Sequence, residues 1–172
     1  ALQYSHEHGV IHRDIKPANV FVKDDGSVKV ADFGIAHLES SSLTQAGTVM
    51  GTPSSMSPEQ VLGLPVDART DVFSTGVVLY QFVTGERPFG GAQSTTTMQK
   101  VLKEDPLPPS TLNVQLPDLM DEILRKALAK KPEERYASAA EFAKALRTLA
   151  MPAPSRGAAE RAHFARQRCH AI

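Results

Sequence analysis

The chain has 172 residues, of which 41% are hydrophobic and 22% are charged, which is typical of a folded globular domain and excludes a wholly disordered chain. Lys and Arg together number 19, as do Asp and Glu, so there is no net positive charge to attract nucleic acid. The longest apolar stretch, residues 76–83, is far shorter than the roughly 20 residues of a membrane-spanning helix, so we expect no membrane segment in this chain.

The chain opens with a predicted helix and a loop. Residues 1–9 are typical of the end of a helix that Gly9 closes, and Val10-Ile11 predicts a short strand. The polar run that starts at His12 is therefore expected to be a loop held on regular structure.

A β-hairpin is predicted next. Residues 20–22 and 27–31 are apolar strand-like runs, and residues 23–26 between them end in Asp-Gly, which favours a tight turn. Such a hairpin would place Asp32 opposite Asn19.

Residues 35–56 are rich in Ser, Thr and Gly and lack periodicity, which is typical of a mobile segment over a site. Ser57 and Pro58 then predict a helix start, with serine as the N-cap and proline in the first turn.

The rest of the chain is predicted to be helical, with one apolar helix in the centre of the fold. The predicted helices run from Thr70 to about Thr84, from Ala92 to Lys103, around residues 119–128, and from Ser138 to about Ala150, with a proline-rich connection at 104–115. Residues 151–172 have no sustained apolar period and are expected to be a linker or a disordered tail. That tail holds the only cysteine, Cys169, and this cysteine usage predicts a reducing, cytoplasmic location.

Three short motifs occur in a fixed order. The run from His12 to Asn19 reads H-R-D-I-K-P-A-N, Asp32-Phe33-Gly34 follows 13 residues later, and Ser57-Pro58-Glu59 comes after the mobile segment. These motifs resemble the H-R-D-x-x-x-x-N, D-F-G and A-P-E signatures of protein kinases, and they are similar to those of bacterial Hanks-type serine/threonine kinases.

The resemblance implies a phosphoryl-transfer site that uses ATP and Mg²⁺. Asp14 would orient or accept the proton of the substrate hydroxyl, and Lys16 would contact the transferred phosphate. Asn19 and Asp32 would offer oxygen ligands to Mg²⁺. A single aspartate such as Asp14 is ordinarily interpreted as a residue of a surface turn. The motif around Asp14 favours the catalytic interpretation instead.

The resemblance also implies a regulated activation segment and serine/threonine substrates on proteins. Arg13 beside the base would bind an anion, with Thr44 and Thr48 as candidate phosphate acceptors or else ordinary loop threonines. Thr52 would brace Asp14 and Lys16.

The resemblance implies structural roles for the other residues that match the kinase pattern. Glu59 and Arg135 would form an ion pair, although Glu59 alone could equally be an acid favoured in the first turn of a helix. Asp71 would hold the backbone at His12 and Arg13, because a carboxylate on so apolar a helix needs hydrogen-bond donors. In the same resemblance, Phe33 and Gly34 complete the D-F-G motif, and packing is the role of Phe33.

The predicted fold class is mainly α with short β-hairpins, as a kinase-like C-terminal lobe over residues 1–150 with the N-terminal lobe absent. No G-x-G-x-x-G and no lysine in a V-A-I-K context precedes the loop, so we expect this chain alone to be inactive. Two functions stay open: part of a serine/threonine kinase that needs the N-terminal lobe as a partner, or a non-catalytic truncated fragment that acts as a binding or scaffold module.

Overall fold

The structure, a computed structural model, describes residues 1–33, 53–91 and 93–149. These residues form seven α-helices, one two-stranded sheet and three single turns of 3₁₀-helix. The helices are α1 (Leu2–Glu7), α2 (Pro58–Val61), α3 (Ala68–Thr84), α4 (Ser94–Lys103), α5 (Pro109–Leu112), α6 (Asp118–Ala127) and α7 (Ala139–Arg147), the strands are β1 (Val20–Val22) and β2 (Val28–Val30), and the 3₁₀ turns are Pro17–Asn19, Pro53–Ser55 and Pro132–Glu134.

The predicted hairpin is confirmed. Strands β1 and β2 pair antiparallel, with Val20 opposite Val30 and Val22 opposite Val28. Gly26 has a φ of +79°, and its N–H donates to the Lys23 carbonyl at 2.9 Å. This left-handed conformation is one that glycine adopts at no steric cost, so the Asp-Gly sequence fixes the turn.

The predicted fold class is wrong in its sheet content. It expected several short hairpins and a strand at Val10-Ile11, whereas the described residues contain the β1–β2 sheet alone and are mostly helical. The Val10 N–H donates at 2.9 Å to the Ser5 carbonyl, so it closes helix α1 instead of joining a sheet. Two apolar residues are too few for periodicity to separate a strand from a helix end.

Helix α3 lies at the centre of the core, as its composition predicts. Its buried side chains include Val72, Phe73, Val77 and Tyr80, which pack in one cluster with side chains of α6 and α7. Gly85 ends the helix with a φ of +80°. The predicted N-cap, Thr70, is three residues late, because Asp67 caps the helix and its carboxylate accepts the Arg69 N–H at 2.8 Å.

The later helices follow the predicted order with one addition. Helix α5 lies inside the expected connection, where the Ser110 N–H and hydroxyl both donate to the Asp121 carboxylate of α6. The Ser138 hydroxyl accepts the Glu141 N–H at 3.1 Å and so caps α7.

Helix α3, with 17 residues, is the longest in the described ranges, and none of the described helices has the length and apolarity that a membrane crossing requires. The predicted mobile segment lies for the most part outside the described residues, and so does the predicted tail at 151–172.

Candidate active site

The loop from His12 to Asn19 is anchored by a carboxylate on the central helix. Asp71 is fully buried, its Oδ2 accepts the His12 N–H at 2.8 Å, and its Oδ1 accepts the Arg13 N–H at 2.9 Å. Burying a carboxylate destabilises a fold unless the carboxylate is hydrogen-bonded. The two backbone N–H groups therefore compensate for the burial of Asp71.

His6 supplies a third donor to this carboxylate, and sequence reasoning missed it. The His6 Nε2 lies 2.7 Å from Asp71 Oδ2, and because the carboxylate only accepts, Nε2 carries the hydrogen. The His6 Nδ1 is buried and has no hydrogen-bond partner in the described structure. The two residues are 65 positions apart, so neither the residue type of His6 nor its spacing in the sequence signals this contact.

Arg13 has a strained backbone. Its φ is +66°, in the left-handed region that costs a non-glycine residue on the order of 1–3 kcal/mol. The two hydrogen bonds to Asp71 hold this conformation, and the Arg13 side chain is exposed.

His12 connects the loop to the segment after the hairpin. Its buried ring accepts the Asp14 N–H at Nδ1, at 3.3 Å, so in the neutral ring Nε2 is the donor to the Ala31 carbonyl at 2.9 Å. The ring also contacts Phe33, with 4.6 Å between ring centroids. One imidazole therefore fixes the backbone of Asp14 relative to the residues on either side of Asp32.

Three of the predicted site residues meet at the Asp14 side chain. The Asn19 amide nitrogen donates to the Asp14 carbonyl at 2.9 Å and to Asp14 Oδ2 at 3.2 Å. The Lys16 Nζ lies 2.8 Å from the same Oδ2. Asp14 and Lys16 stay partly exposed while Asn19 is buried, so the carboxylate is both oriented and accessible.

The hairpin brings Asp32 beside this group. The Ala31 N–H donates to the Asn19 carbonyl at 2.9 Å, which continues the β1–β2 register by one residue. Asp32 follows with a φ of +59° and an exposed side chain. This register sets Ala31 opposite Asn19, so the predicted placement of Asp32 opposite Asn19 is wrong by one residue, and Asp32 directly follows the residue that pairs with Asn19.

The donor set suits a hard cation. The amide nitrogen of Asn19 is committed to Asp14, which leaves its amide oxygen as the free ligand atom, and Asp32 offers an exposed carboxylate. Within the described residues no three His, Cys, Asp or Glu side chains cluster as a metal cage. Mg²⁺ commonly uses one or two side-chain oxygens together with phosphate and water, so these residues fit it.

Glu59 and Arg135 form a buried, bidentate ion pair. The Arg135 Nη1 and Nη2 each lie 2.8 Å from a Glu59 oxygen, and the Thr70 hydroxyl donates to Glu59 at 2.7 Å. The same guanidinium donates to three backbone carbonyls, those of Arg69, Ala129 and Lys130. Burial by itself would raise the pKa of Glu59, but the hydrogen bonds from Arg135 and Thr70 outweigh it and hold the pKa below its ordinary value of 4.5.

Four predicted site residues lie outside the described residues: Gly34, Thr44, Thr48 and Thr52.

A family model described as the protein kinase domain matches residues 1–146. The chain belongs to the protein kinase family. It is 47% identical over 145 residues to the serine/threonine-protein kinase PknB of Mycolicibacterium smegmatis, and 48% identical over 145 residues to that of Mycobacterium tuberculosis; each alignment covers 83% of this chain and 23% of the relative. A probable serine/threonine-protein kinase of Corynebacterium efficiens is 45% identical over 170 residues, which is 95% of this chain and 26% of that relative.

By family, the chain thus belongs with the bacterial Hanks-type protein serine/threonine kinases. It spans about a quarter of the length of these curated relatives. Protein kinases as a family use ATP and Mg²⁺ and act on proteins.

The family match also bears on the predicted fold class. It begins at residue 1 and is to the protein kinase domain as such, with no lobe singled out. The description as a C-terminal lobe whose N-terminal lobe is absent is therefore corrected to a kinase-domain region whose described residues are mostly helical, with one two-stranded sheet. The prediction was wrong because the absence of a motif shows only that certain residues are missing from the sequence. It does not show which lobe the remaining residues form.

Proposed function

We propose that the polypeptide carrying these residues transfers the terminal phosphoryl group of Mg-ATP to a serine or threonine hydroxyl of a protein. The observation that supports this most directly is the group around Asp14, where Asn19 and Lys16 both contact one carboxylate oxygen at 3.2 and 2.8 Å. A carboxylate oriented by an amide and a lysine, beside an exposed second carboxylate at Asp32, has the parts that phosphoryl transfer requires.

Each residue has a distinct task in this proposal. Asp14 orients the substrate hydroxyl and accepts its proton, and Lys16 balances negative charge on the transferred group. Asn19 and Asp32 would hold Mg²⁺ through their oxygens. When bound, the metal and the nucleotide supply the electrophilic phosphorus and neutralise its charge.

The remaining predicted roles support the same site. The exposed guanidinium of Arg13 is proposed to receive an activating phosphate on Thr44 or Thr48, which would otherwise be ordinary loop threonines. Thr52 is proposed to contact and position Asp14 and Lys16. Its presence is also proposed to indicate specificity for serine and threonine substrates. Residues 1–150 are proposed as the folded unit and residues 151–172 as a linker or disordered tail, and the cytoplasmic location stays a prediction.

Groups that cover the nucleotide phosphates are proposed to come from polypeptide outside these 172 residues, since the sequence holds no G-x-G-x-x-G. The same observation favours the second candidate function, a non-catalytic binding or scaffold module. The two differ in whether any polypeptide containing these residues transfers phosphate.

Replacing the base tests the proposal. In the full-length natural polypeptide that includes these residues, Asp14→Asn should lower the transfer of labelled phosphate from Mg-ATP to a basic protein by about 10²–10⁴-fold, the usual contribution of a general base. The 172-residue chain by itself should give no label.

Asp25 provides the matched control, because it is an exposed turn aspartate whose carboxylate accepts the Ser27 N–H at 2.8 Å. Asp25→Asn should keep the full rate, since asparagine also suits such a turn. Equal labelling by the Asp14→Asn and unmodified proteins would remove the catalytic proposal and leave the scaffold function.

A further inference from the structure

Gln60 joins helix α2 to the loop that carries Asp14. Its side-chain Nε2 donates to the Arg13 carbonyl at 2.7 Å, across 47 residues of sequence. Its Oε1 accepts the Ser57 N–H at 3.0 Å and the Ser57 hydroxyl at 3.3 Å. One amide therefore closes the first turn of α2 and contacts the catalytic loop at the same time.

Only one orientation of this amide satisfies both neighbours. The Ser57 N–H can only donate and the Arg13 carbonyl can only accept, so the oxygen must face Ser57 and the nitrogen must face Arg13. Glutamate at this position could still cap the helix, because carboxylates serve in the same capping box, but its ionised form has no donor for Arg13.

The bond to Arg13 acts on the peptide group that precedes Asp14. The oxygen of that group is held by Gln60, and its N–H donates to the Nδ1 of His12 at 3.3 Å. The φ of Arg13, +66°, is held by the bonds to Asp71 on the N-terminal side of this residue, whereas Gln60 and His12 hold the peptide group on its C-terminal side. Its tilt sets the direction in which the Asp14 side chain leaves the backbone.

Helix α2 is a rigid base for this contact. Glu59, the residue before Gln60, is fixed by the buried bonds from Arg135 and Thr70. Successive residues of the helix thus bind the protein interior and the catalytic loop. A contact made from an element that is itself immobilised orients its target better than one made from a free side chain.

We propose that Gln60 is a positioning residue for Asp14: through the Arg13 carbonyl it fixes the peptide plane from which the base projects. The expected effect of Gln60 on kcat rests on the proposed phosphoryl-transfer function. Its expected effect on the position of the Arg13–Asp14 peptide group does not depend on activity.

Two substitutions separate positioning from helix capping. Gln60→Glu keeps the cap and removes the donor to Arg13, and Ser57→Ala removes the side-chain cap and keeps that donor. In the full-length natural polypeptide, Gln60→Glu should lower kcat about three- to tenfold, the effect of one lost hydrogen bond, with the KM for ATP close to the unmodified value. Ser57→Ala should lower the melting temperature by about 2–4 °C and leave kcat unchanged.

A nuclear magnetic resonance readout is independent of activity. The HNCO cross-peak of Asp14 correlates its N–H with the Arg13 carbonyl carbon, so it should move in Gln60→Glu and stay in Ser57→Ala. An unmoved cross-peak in Gln60→Glu, or an equal loss of kcat in both variants, would overturn the inference. If the unmodified protein transfers no phosphate, the proposed function fails and the cross-peak still decides whether Gln60 holds the loop.

Discussion

Glu59 shows how a single buried charge can fix a segment. The carboxylate accepts hydrogen bonds from Arg135 and Thr70, and the other N–H groups of the Arg135 guanidinium donate to backbone carbonyls. Removing one partner of such a pair leaves the other charge buried without compensation. The free energy lost in this way exceeds the net stabilisation that the intact pair provides. The stability of the fold should therefore depend on Glu59 much more than on any exposed acid.

Glu59→Gln should lower the free energy of unfolding by about 3–5 kcal/mol at neutral pH, measured by urea denaturation. Because the pKa of Glu59 is lowered in the fold, the ionised form stabilises the protein above about pH 4.5 and this contribution is lost as the pH falls through the folded-state pKa. Unmodified protein should thus lose stability more steeply below pH 4.5 than Glu59→Gln does.

The exposed Glu122 on α6 gives the control, and Glu122→Gln should change the free energy of unfolding by less than about 0.5 kcal/mol. Parallel acid profiles for Glu59→Gln and the unmodified protein would mean that the ion pair contributes no pH-dependent stability.

At this scale the sequence predicts some contacts and not others. The need of Asp71 for donors follows from placing a carboxylate on an apolar helix, and the structure places His12 and Arg13 there. The donation from His6 and the bond from Gln60 to Arg13 depend on distances between segments far apart in sequence. Neither the residue type nor its spacing carries that information.

Among the helices, the contact between α3 and α6 depends on a residue without a side chain. A β-carbon at Gly76 would lie 3.1 Å from the β-carbon of Ala127 and 3.1 Å from a methyl group of Leu128. The Leu128 side chain can rotate away, but the Ala127 β-carbon is attached directly to the backbone of α6. The two helices approach closely because this position is glycine.

Gly76→Ala should destabilise the protein by about 1–2 kcal/mol in thermal or urea unfolding, although alanine favours helix by nearly 1 kcal/mol, because overpacking a core costs more than the propensity gains. Gln99→Ala, at an exposed position of α4, is the control and should be neutral or slightly stabilising. A higher melting temperature for Gly76→Ala would show that α6 moves to admit the methyl group.

Element boundaries were predictable where the sequence offers one strong signal. Gly85 and the Ser57-Pro58 pair mark the ends of their helices as predicted. The start of α3 was misplaced because Asp67 and Thr70 are both good caps, and only the direction of the chain entering the helix selects between them. Helix α5, of four residues, is too short for periodicity to reveal inside a proline-rich stretch.

For the whole molecule, the site is assembled from segments that only tertiary structure brings together. The bonds from Asp71 to the loop span 58 and 59 residues, and the Glu59–Arg135 pair spans 76. Motif order predicted which residues take part, because the hairpin turn is local and sets Ala31, the residue before Asp32, opposite Asn19. The fold class was wrong because the extent of a fold cannot be inferred from motifs that a sequence lacks.

The hairpin beside the site exposes apolar side chains on both of its faces. The side chains of Phe21, Val22 and Val28 are 54%, 43% and 56% exposed. Val22 and Val28 are opposite each other in the register and so share a face, while Phe21 projects from the other face. Exposed apolar side chains on both faces of a short sheet attract other apolar surfaces.

The 172-residue chain should therefore bind an apolar fluorescent dye and self-associate in size-exclusion chromatography. Replacing Phe21 and Val28 by threonine, which keeps strand propensity, should lower the dye signal by roughly half and favour the monomer. Val114→Thr removes an apolar side chain outside the hairpin that is 88% exposed, and it should leave both readouts unchanged. A monomeric, dye-free unmodified chain would mean that these side chains are covered in solution, and an equal response to Val114→Thr would mean that the attraction is not specific to the hairpin.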